Sequence, residues 1–330
     1  MRWLVRIGLG LGVLFVVLVV AGITLRPYQF PAQLAEPGPT GQRIEENGML
    51  ANYFPAPSGE PAPGILVLGG SEGGLGNGMR DEALEFQAQG YSALQVAYHH
   101  APGKPKDLVN IPLEDFYAGL DWLKAQPEVD PERLAVYGIS KGAEAGLVMA
   151  ARRDDIDAAV LGVPSSVVWA GIDWRLLGMF GLLPSRSSWS EGGEPLPFLP
   201  YGAWNEEQGI ASVYISGLES LGDYPEAIIR VEEASGPILL VCGGLDNIWP
   251  SCPMSEAIVA RAEEKNGPEV TLLSYPEAGH AAIGIPSDEP GEAFGGGTWE
   301  TDNAAREDSW PQVLAFLEAH LSRPASAEDE

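Results

Sequence analysis

Between residues 64 and 321, short apolar runs alternate with longer runs in which apolar residues recur at helical spacing. The runs typical of strands are 64–70, 91–99, 133–138, 157–163, 237–242 and 270–275, and those typical of helices are 79–89, 112–126, 141–152, 253–265 and 308–321. Strands that alternate with helices form parallel sheets through crossover connections, and strands that are apolar throughout are covered on both faces. The sequence therefore predicts an α/β domain, with a mostly parallel central sheet and helices on both faces.

Residues 164–235 interrupt this alternation. They contain four tryptophans (Trp169, Trp174, Trp189 and Trp204), many prolines and glycines, and no clear period. A segment this long is unusual as a bare loop in a compact domain. We therefore expect a cap-like insertion over one end of the sheet. For each single tryptophan, the plain alternative is ordinary core packing.

The N-terminal segment is apolar enough to enter a membrane. Residues 7–25 carry no charge and would span roughly 28 Å as a helix, close to the thickness of a bilayer core. Arg2 and Arg6 precede the segment and Arg26 follows it, which weakly favours a cytoplasmic N-terminus. We expect residues 1–25 to be a membrane-spanning signal anchor that leaves the rest of the chain outside the cytoplasm, periplasmic or extracellular. The alternative is a cleaved signal peptide and a secreted protein.

The remaining chain divides by composition. Residues 26–42 contain Pro27, Pro31, Pro37 and Pro39, a density that predicts a semi-rigid linker. The folded domain is then expected over residues 43–322, followed by a short acidic tail at 323–330.

Net charge and cysteine content limit the partners. The chain has 46 Asp plus Glu against 19 Lys plus Arg, a formal charge of −27, which disfavours binding to nucleic acid. Cys242 and Cys252 are too few for a disulfide scaffold, and they could equally form one disulfide or remain buried thiols. No histidine cluster accompanies them, so we expect neither a metal site nor a cofactor. The sequence does not indicate the oligomeric state.

The pattern G-x-S-x-G occurs twice, and only one occurrence has the right surroundings. Ser140 lies between the strand-like run 133–138 and the helix-like run 141–152, as a nucleophile elbow requires. Ser71, in the other match, is followed by glycines that do not form a helix. The sequence therefore predicts an α/β-hydrolase fold with Ser140 as the nucleophile.

A serine nucleophile needs a base and a carboxylate that orients it. Of the four histidines, His280 follows a strand downstream of Ser140, where this fold places its base. Asp246 follows the strand 237–242 and lies between Ser140 and His280 in sequence, so we assign it as the acid. A turn-forming aspartate and a solvent-exposed histidine are the plain alternatives for these two residues.

The glycine-rich loop at residues 69–78 is expected to contribute a backbone amide to the site and not a nucleophile. In this fold the early strand-to-helix loop supplies one backbone N–H to the oxyanion hole, and the residue after the nucleophile supplies the other. We assign the backbone amides of Ser71 and Lys141 to this role, with Glu72 as the alternative to Ser71.

These segments resemble a known family. The chain resembles the catalytic domain of the acyl-CoA thioesterase and bile acid-CoA:amino acid N-acyltransferase family, a neighbour of dienelactone hydrolases. The segments that carry the resemblance are GILVLGGSEGGL, VDPERLAVYGISKGAEAGL, CGGLDNIWPSCPM and YPEAGH. The resemblance covers about residues 60–285. It implies an α/β-hydrolase fold with Ser140 as nucleophile and Asp246 and His280 as its partners.

The expected activity is hydrolysis of a small-molecule ester or thioester through an acyl-enzyme. The alternatives are transfer of the acyl group to an amine or alcohol, a weaker possibility of peptidase activity, and a non-catalytic binding protein that retains the fold.

Overall fold

The computed structural model describes residues 2–322. Its strands are β1 (Gln42–Glu46), β2 (Met49–Phe54), β3 (Ala62–Leu68), β4 (Ser92–Ala97), β5 (Ile111–Pro112), β6 (Val129–Ile139), β7 (Ala158–Gly162), β8 (Trp189–Glu191), β9 (Glu194–Pro195), β10 (Ile238–Gly243) and β11 (Val270–Tyr275). Its α-helices are α1 (Arg2–Thr24), α2 (Asn77–Ala88), α3 (Leu113–Lys124), α4 (Lys141–Ala150), α5 (Leu176–Met179), α6 (Ala211–Glu219), α7 (Ser251–Lys265) and α8 (Trp299–Leu321).

The central sheet has the strand order β1-β2-β4-β3-β6-β7-β10-β11. The strands from β4 to β11 in this order are parallel to their neighbours, whereas β2 is antiparallel to both β4 and β1. The predicted mostly parallel sheet is therefore confirmed, and it has a two-strand antiparallel edge. The sequence analysis missed β1 and β2, although the turn between them is Asn47-Gly48, with both residues at positive φ (49° and 79°). Such a pair is a typical hairpin turn.

Each face of the sheet is covered by helices. Along β3, Leu66 and Leu68 belong to a core built with α3, α4 and α7, whereas Ile65 and Val67 belong to a second core with α2 and α8. Side chains of a strand alternate between the two faces, so one apolar strand supplies both cores. The prediction of helices on both faces is confirmed.

Helix α8 begins earlier than predicted. Its expected start was residue 308, but it begins at Trp299, after Thr298, whose Oγ1 accepts the N–H of Thr301 at 3.2 Å. The first two turns are mostly polar, so their sequence lacks a clear apolar stripe. The cap, and not the hydrophobic period, marks the start of this helix.

The segment 164–235 has little regular structure. It contains α5, α6 and the short strands β8 and β9, and β8 pairs with β5. Trp169 and Trp189 are fully buried and Trp174 nearly so, whereas Trp204 is exposed. Trp169 packs in a cluster with Trp249, which precedes α7, and with Met254 in the first turn of α7. Three of the four tryptophans thus serve core packing.

The N-terminal helix is long and apolar. Its segment Arg6–Thr24 is the one helix among the described residues that has the length and hydropathy to cross a membrane, and 6% of it is buried. Helices with these properties occur both in membrane anchors and in signal sequences. The end of α1 contacts α5, and Leu25, directly after α1, accepts the backbone N–H of Leu176 at 2.9 Å.

The proline-rich segment lies against the domain and does not extend from it as a free spacer. Arg26 forms an ion pair with Asp107 at 2.8 Å, and Leu34 forms a β-bridge with Leu75. Ala35 is buried. The reason is that apolar residues between the prolines find partners on the domain. The start of the domain at residue 43 stays a prediction, and the predicted acidic tail lies outside the described residues.

Candidate active site

Ser140 occupies the turn between β6 and α4. Its φ and ψ are 56° and −118°, a conformation that is strained for a residue with a side chain. Its N–H donates to the carbonyl of Gly162 on β7 at 2.9 Å, which holds the turn against the sheet. A side chain at Gly142 would overlap the backbone carbonyls of Leu68 and Gly69. These are the features expected of a nucleophile elbow.

Asp246 and His280 are directly hydrogen-bonded. His280 Nδ1 lies 2.8 Å from Asp246 Oδ2, and the two side chains are 6% and 1% exposed, respectively. The other carboxylate oxygen, Oδ1, accepts the backbone N–H of Ile248 at 3.0 Å and that of Trp249 at 3.3 Å. With its carboxylate held by two amides, Asp246 can fix the orientation of the imidazole and leave Nε2 free for proton transfer.

The three predicted triad residues share one edge of the sheet. Ser140 directly follows β6, Asp246 follows β10, and His280 follows β11. These strands are parallel and separated only by β7, so their carboxyl ends meet at the same edge. This edge is where open α/β sheets place their ligands. Within residues 2–322, no group of three or more His, Cys, Asp and Glu side chains is placed to hold a metal ion.

A glycine loop that was not predicted as part of the site supports the loops of Asp246 and His280 together. The carbonyl of Gly295 accepts the N–H of Asn247 at 2.9 Å and the N–H of His280 at 3.0 Å. Gly295, Gly296 and Gly297 all have positive φ, and a side chain on Gly296 would overlap the carbonyl of Leu245. The run of three glycines was the signal available in the sequence.

A disulfide closes the turn that carries Asp246. Cys242, at the end of β10, is bonded to Cys252, in the first turn of α7, and their Cα atoms are 5.1 Å apart. Of the two possibilities that the sequence left open, the structure has the disulfide. The bond limits how far the residues between the two cysteines can move, and Asp246 is among them.

The predicted oxyanion loop is held by side chains that face its backbone. Burial lowers the pKa of His99 to about 4, so its ring is neutral at neutral pH. Its Nε2 lies 3.2 Å from the carbonyl of Ser71, which assigns the ring proton to Nε2. Tyr98 donates its hydroxyl to the carbonyl of Gly69 at 2.6 Å. Lys141 begins α4, where helix amides have no partner within the helix.

Glu72 places a carboxyl group beside Ser140. Its Oε1 accepts the N–H of Gly70 at 3.0 Å. A methyl group on Gly70 would lie 2.8 Å from Glu72 Oε2 and 3.3 Å from Ser140 Cβ, so this space is shared by the carboxyl and the serine. Burial raises the pKa of Glu72, and attraction to His280 opposes that rise. The sequence analysis considered Glu72 only for its amide.

The side chain of Lys141 anchors the elbow to the segment 164–235. Its ammonium donates to Glu144 Oε2 at 2.8 Å and to Ser188 Oγ at 2.9 Å, fully away from solvent. Glu144 Oε1 accepts the N–H of Trp169 at 3.0 Å and Nε1–H of Trp189 at 2.8 Å. Burial lowers the pKa of Lys141, and attraction to Glu144 opposes this. Sequence reasoning missed this pair, because an i,i+3 Lys–Glu spacing is usually a surface feature.

Comparisons with known proteins agree on one family. The family described as "BAAT / Acyl-CoA thioester hydrolase C terminal" matches residues 111–323. The chain is 26% identical to acyl-coenzyme A thioesterase 1 of Rattus norvegicus over 296 residues, which cover 86% of this chain and 66% of that protein. It is 28% identical to bile acid-CoA:amino acid N-acyltransferase of Mus musculus over 301 residues, with the same coverage of 86% and 66%. It thus spans slightly less than two thirds of these relatives.

Solved structures share the fold at lower identity. A putative dienelactone hydrolase from Klebsiella pneumoniae subsp. pneumoniae MGH 78578 superposes with a TM-score of 0.54 at 17% identity, covering 84% of this chain and 96% of that one. A puromycin-hydrolyzing peptidase of Mycobacterium tuberculosis gives 0.56 at 20% identity, covering 86% and 39%. The α/β-hydrolase fold is therefore shared with proteins whose described activities differ.

Proposed function

The chain belongs to the BAAT / acyl-CoA thioester hydrolase C-terminal family, and we propose that it is a serine hydrolase that cleaves an ester or thioester bond through an acyl-enzyme. The observation that carries the proposal is the 2.8 Å bond between His280 and Asp246, at the same sheet edge as the strained Ser140 turn. A serine hydroxyl is activated when an imidazole can take its proton and a buried carboxylate holds that imidazole in place.

In the proposed mechanism, Ser140 Oγ attacks the substrate carbonyl while His280 Nε2 takes the hydroxyl proton. Asp246 stabilises the imidazolium that forms, and the amides of Ser71 and Lys141 donate to the oxyanion. The tetrahedral intermediate collapses, the C–O or C–S bond to the leaving group breaks, and His280 returns the proton to that group. Water then attacks the acyl-enzyme with His280 again as base, which releases the acid and restores Ser140.

Acyl transfer is the second candidate activity. It is favoured by the similarity to the mouse N-acyltransferase, whose name describes transfer to an amino acid. The first half of the reaction is the same, and an amine or alcohol then takes the place of water. A non-catalytic binding protein is the remaining alternative, and it would have no need of the His280–Asp246 bond.

We also propose that α1 anchors the protein in a membrane with the folded domain outside the cytoplasm. The Cys242–Cys252 disulfide supports this location, because disulfides persist in oxidising compartments and are rare in the cytosol. Cleavage of α1 as a signal peptide would give the same compartment and a secreted protein.

Labelling with a fluorophosphonate probe tests the proposed nucleophile. We expect the wild-type protein to be labelled and the Ser140→Ala variant to be unlabelled, with esterase activity lowered by at least ~10³-fold. Ser71→Ala is the matched control, because it alters the other G-x-S-x-G serine but keeps its backbone amide; it should be labelled. A folded wild-type protein that resists the probe and cleaves no ester would refute the proposal and favour the binding protein.

Product analysis separates hydrolysis from transfer. The enzyme is given an acyl thioester with and without an added amino acid, and the acid and amide products are quantified. Free acid at an unchanged rate indicates hydrolysis, whereas amide formed at the expense of acid indicates transfer.

A further inference from the structure

A cavity opens beside the acid of the triad. It has a volume of about 500 Å³ and is bounded on one side by Asp246 and Asn247 and on the other by residues at the start of α6. Asp246 places the cavity at the edge of the sheet where Ser140 and His280 also lie, although neither of these two residues lines it.

The charged residues that line this cavity are all acidic. Glu206 and Glu207 are exposed at its mouth, and none of its lining residues is Lys, Arg or His. Glu72 adds a further carboxyl group next to Ser140. Any anionic group that approached the triad through this cavity would therefore meet the carboxylates of Glu206 and Glu207, with no cation among the lining residues to offset them.

Two cations close to the triad are already engaged. The ammonium of Lys141 is buried and paired with Glu144 at 2.8 Å. Arg306 on α8 donates its Nε–H to the carbonyl of Ala281 at 2.8 Å, next to His280 in the chain. A phosphate would have to break the Lys141–Glu144 pair to recruit the ammonium, which would leave the buried carboxyl group of Glu144 without its counter-charge.

Exposed apolar side chains lie in this cavity and in the loops next to Asp246 and His280. Ile210, Leu245 and Phe294 are large apolar side chains that are 40%, 51% and 51% exposed. The ring of Phe294 lies 6.0 Å from the ring of His280, so this apolar surface reaches the catalytic edge itself. Exposed apolar groups that surround a reactive site favour apolar substrates.

We propose that the substrate of this site is a lipophilic ester or thioester whose leaving group is uncharged or cationic, and not a nucleotide thioester such as acyl-CoA. This inference rests on the proposed hydrolase function and narrows it. Coenzyme A carries a diphosphate and a further phosphate, so its approach brings several like charges together. Each pair of unit charges at roughly 8 Å lowers binding about twofold in water, and the effects of several pairs multiply.

The test compares two thioesters that differ only in the nucleotide. The S-acylpantetheine and the acyl-CoA of the same acyl chain present the same thioester bond and pantetheine arm, and only the CoA ester carries phosphates. We expect kcat/KM of the wild-type protein to be at least ~10-fold higher for the pantetheine ester at low ionic strength, and the difference to shrink as salt screens the charges.

Reversing the charge of Glu206 and Glu207 tests whether these two residues cause the preference for the pantetheine ester. The variant Glu206→Lys/Glu207→Lys should raise kcat/KM for the CoA ester by ~10-fold and leave that for the pantetheine ester within about twofold. Glu60→Lys/Glu132→Lys is the matched control: it makes the same change in net charge at exposed positions near the starts of β3 and β6, at the opposite end of the sheet, and should leave the ratio unchanged.

The outcomes separate this inference from the function on which it rests. If the wild-type protein cleaves the CoA ester as well as the pantetheine ester, or if both double variants shift the ratio equally, the inference is overturned while the hydrolase function stands. If no thioester or simple ester is cleaved and the fluorophosphonate does not label Ser140, the function fails and the inference fails with it.

Discussion

The buried carboxyl groups of this protein have different surroundings, and these surroundings decide what each group does. Asp246 accepts two amides and faces His280, whereas Glu144 is paired with a lysine. Glu82 on α2 is 6% exposed, and its Oε2 has no hydrogen-bond partner among the described residues. Burial raises the pKa of Glu82 to about 8, so it is neutral at neutral pH in the folded protein.

This buried acid predicts a pH dependence of stability. In the unfolded chain Glu82 ionises near its ordinary pKa of 4.5, but in the folded protein only near 8. Between these values the unfolded state holds fewer protons, so the free energy of unfolding falls as pH rises from about 4.5 to about 8, by a few kcal/mol. Glu82→Gln, which stays neutral, should lose less stability over this range.

Denaturant unfolding of both proteins at pH 5 and pH 8 measures the effect. Glu263→Gln, at an exposed position on α7, serves as the control and should follow the wild type. If the wild-type and Glu82→Gln proteins lose equal stability between the two pH values, the carboxyl is ionised in the fold and the prediction is wrong.

At the scale of elements, α4 is fastened to the segment 164–235 by the Lys141–Glu144 pair. Glu144→Gln should cost about 3–5 kcal/mol, because it leaves the buried ammonium of Lys141 without its counter-charge. The glutamine oxygen can still accept from the two tryptophans. The double variant Lys141→Met/Glu144→Gln removes both charges and should therefore be more stable than Glu144→Gln alone.

Urea unfolding of the single and double variants checks this expectation. Because the Lys141 amide is part of the backbone, the double variant should also retain reactivity toward the fluorophosphonate. A double variant that is less stable than Glu144→Gln would show that the lysine stem, and not the charge pair, holds the two elements together.

The second prediction at the scale of elements concerns the disulfide that closes the turn carrying Asp246. Cys242 and Cys252 are 10 residues apart, and closing a loop of this length stabilises the fold by about 2–3 kcal/mol. Reduction of the wild-type protein should lower Tm and kcat together, since the closed loop carries Asp246. The variant Cys242→Ser/Cys252→Ser should have the lower Tm from the start and show no response to the reductant.

Thermal unfolding with and without dithiothreitol provides the measurement, with a thiol assay to show that reduction is complete. A fully reduced protein whose Tm and kcat match those of the oxidised form would mean that the turn holds Asp246 without the bond.

The whole molecule combines an apolar N-terminal helix with a strongly acidic chain of net charge −27. We expect the full-length protein in the membrane fraction, resistant to carbonate extraction, with its domain open to protease from outside the cytoplasm. The variant Leu14→Arg/Val17→Arg places two charges in the span and should lose membrane insertion, because each charge at the bilayer centre costs roughly 3 kcal/mol.

Intact mass of the mature protein separates the two possible roles of α1. A mass that includes residues 1–25 indicates an anchor, and a soluble extracytoplasmic product that lacks them indicates a cleaved signal. A full-length soluble pool in the cytoplasm would contradict both.

The sequence by itself was enough to predict the mostly parallel sheet, the helices on both faces, the family and the strand-to-helix turn at Ser140. These features depend on local periodicity and on short motifs, which are written in neighbouring residues. The triad of Ser140, Asp246 and His280 was predicted from chain order, and its chemistry stays a proposal.

Only the tertiary structure decided which distant groups meet. It showed that Cys242 and Cys252 are bonded, that Gly295 supports both the Asp246 and His280 loops, and that Glu72 shares space with Ser140. It also showed that Lys141 and Glu144, whose i,i+3 spacing is typical of surface pairs, form a buried ion pair. Burial and the approach of distant segments depend on how the whole chain packs, and no local pattern in the sequence records them.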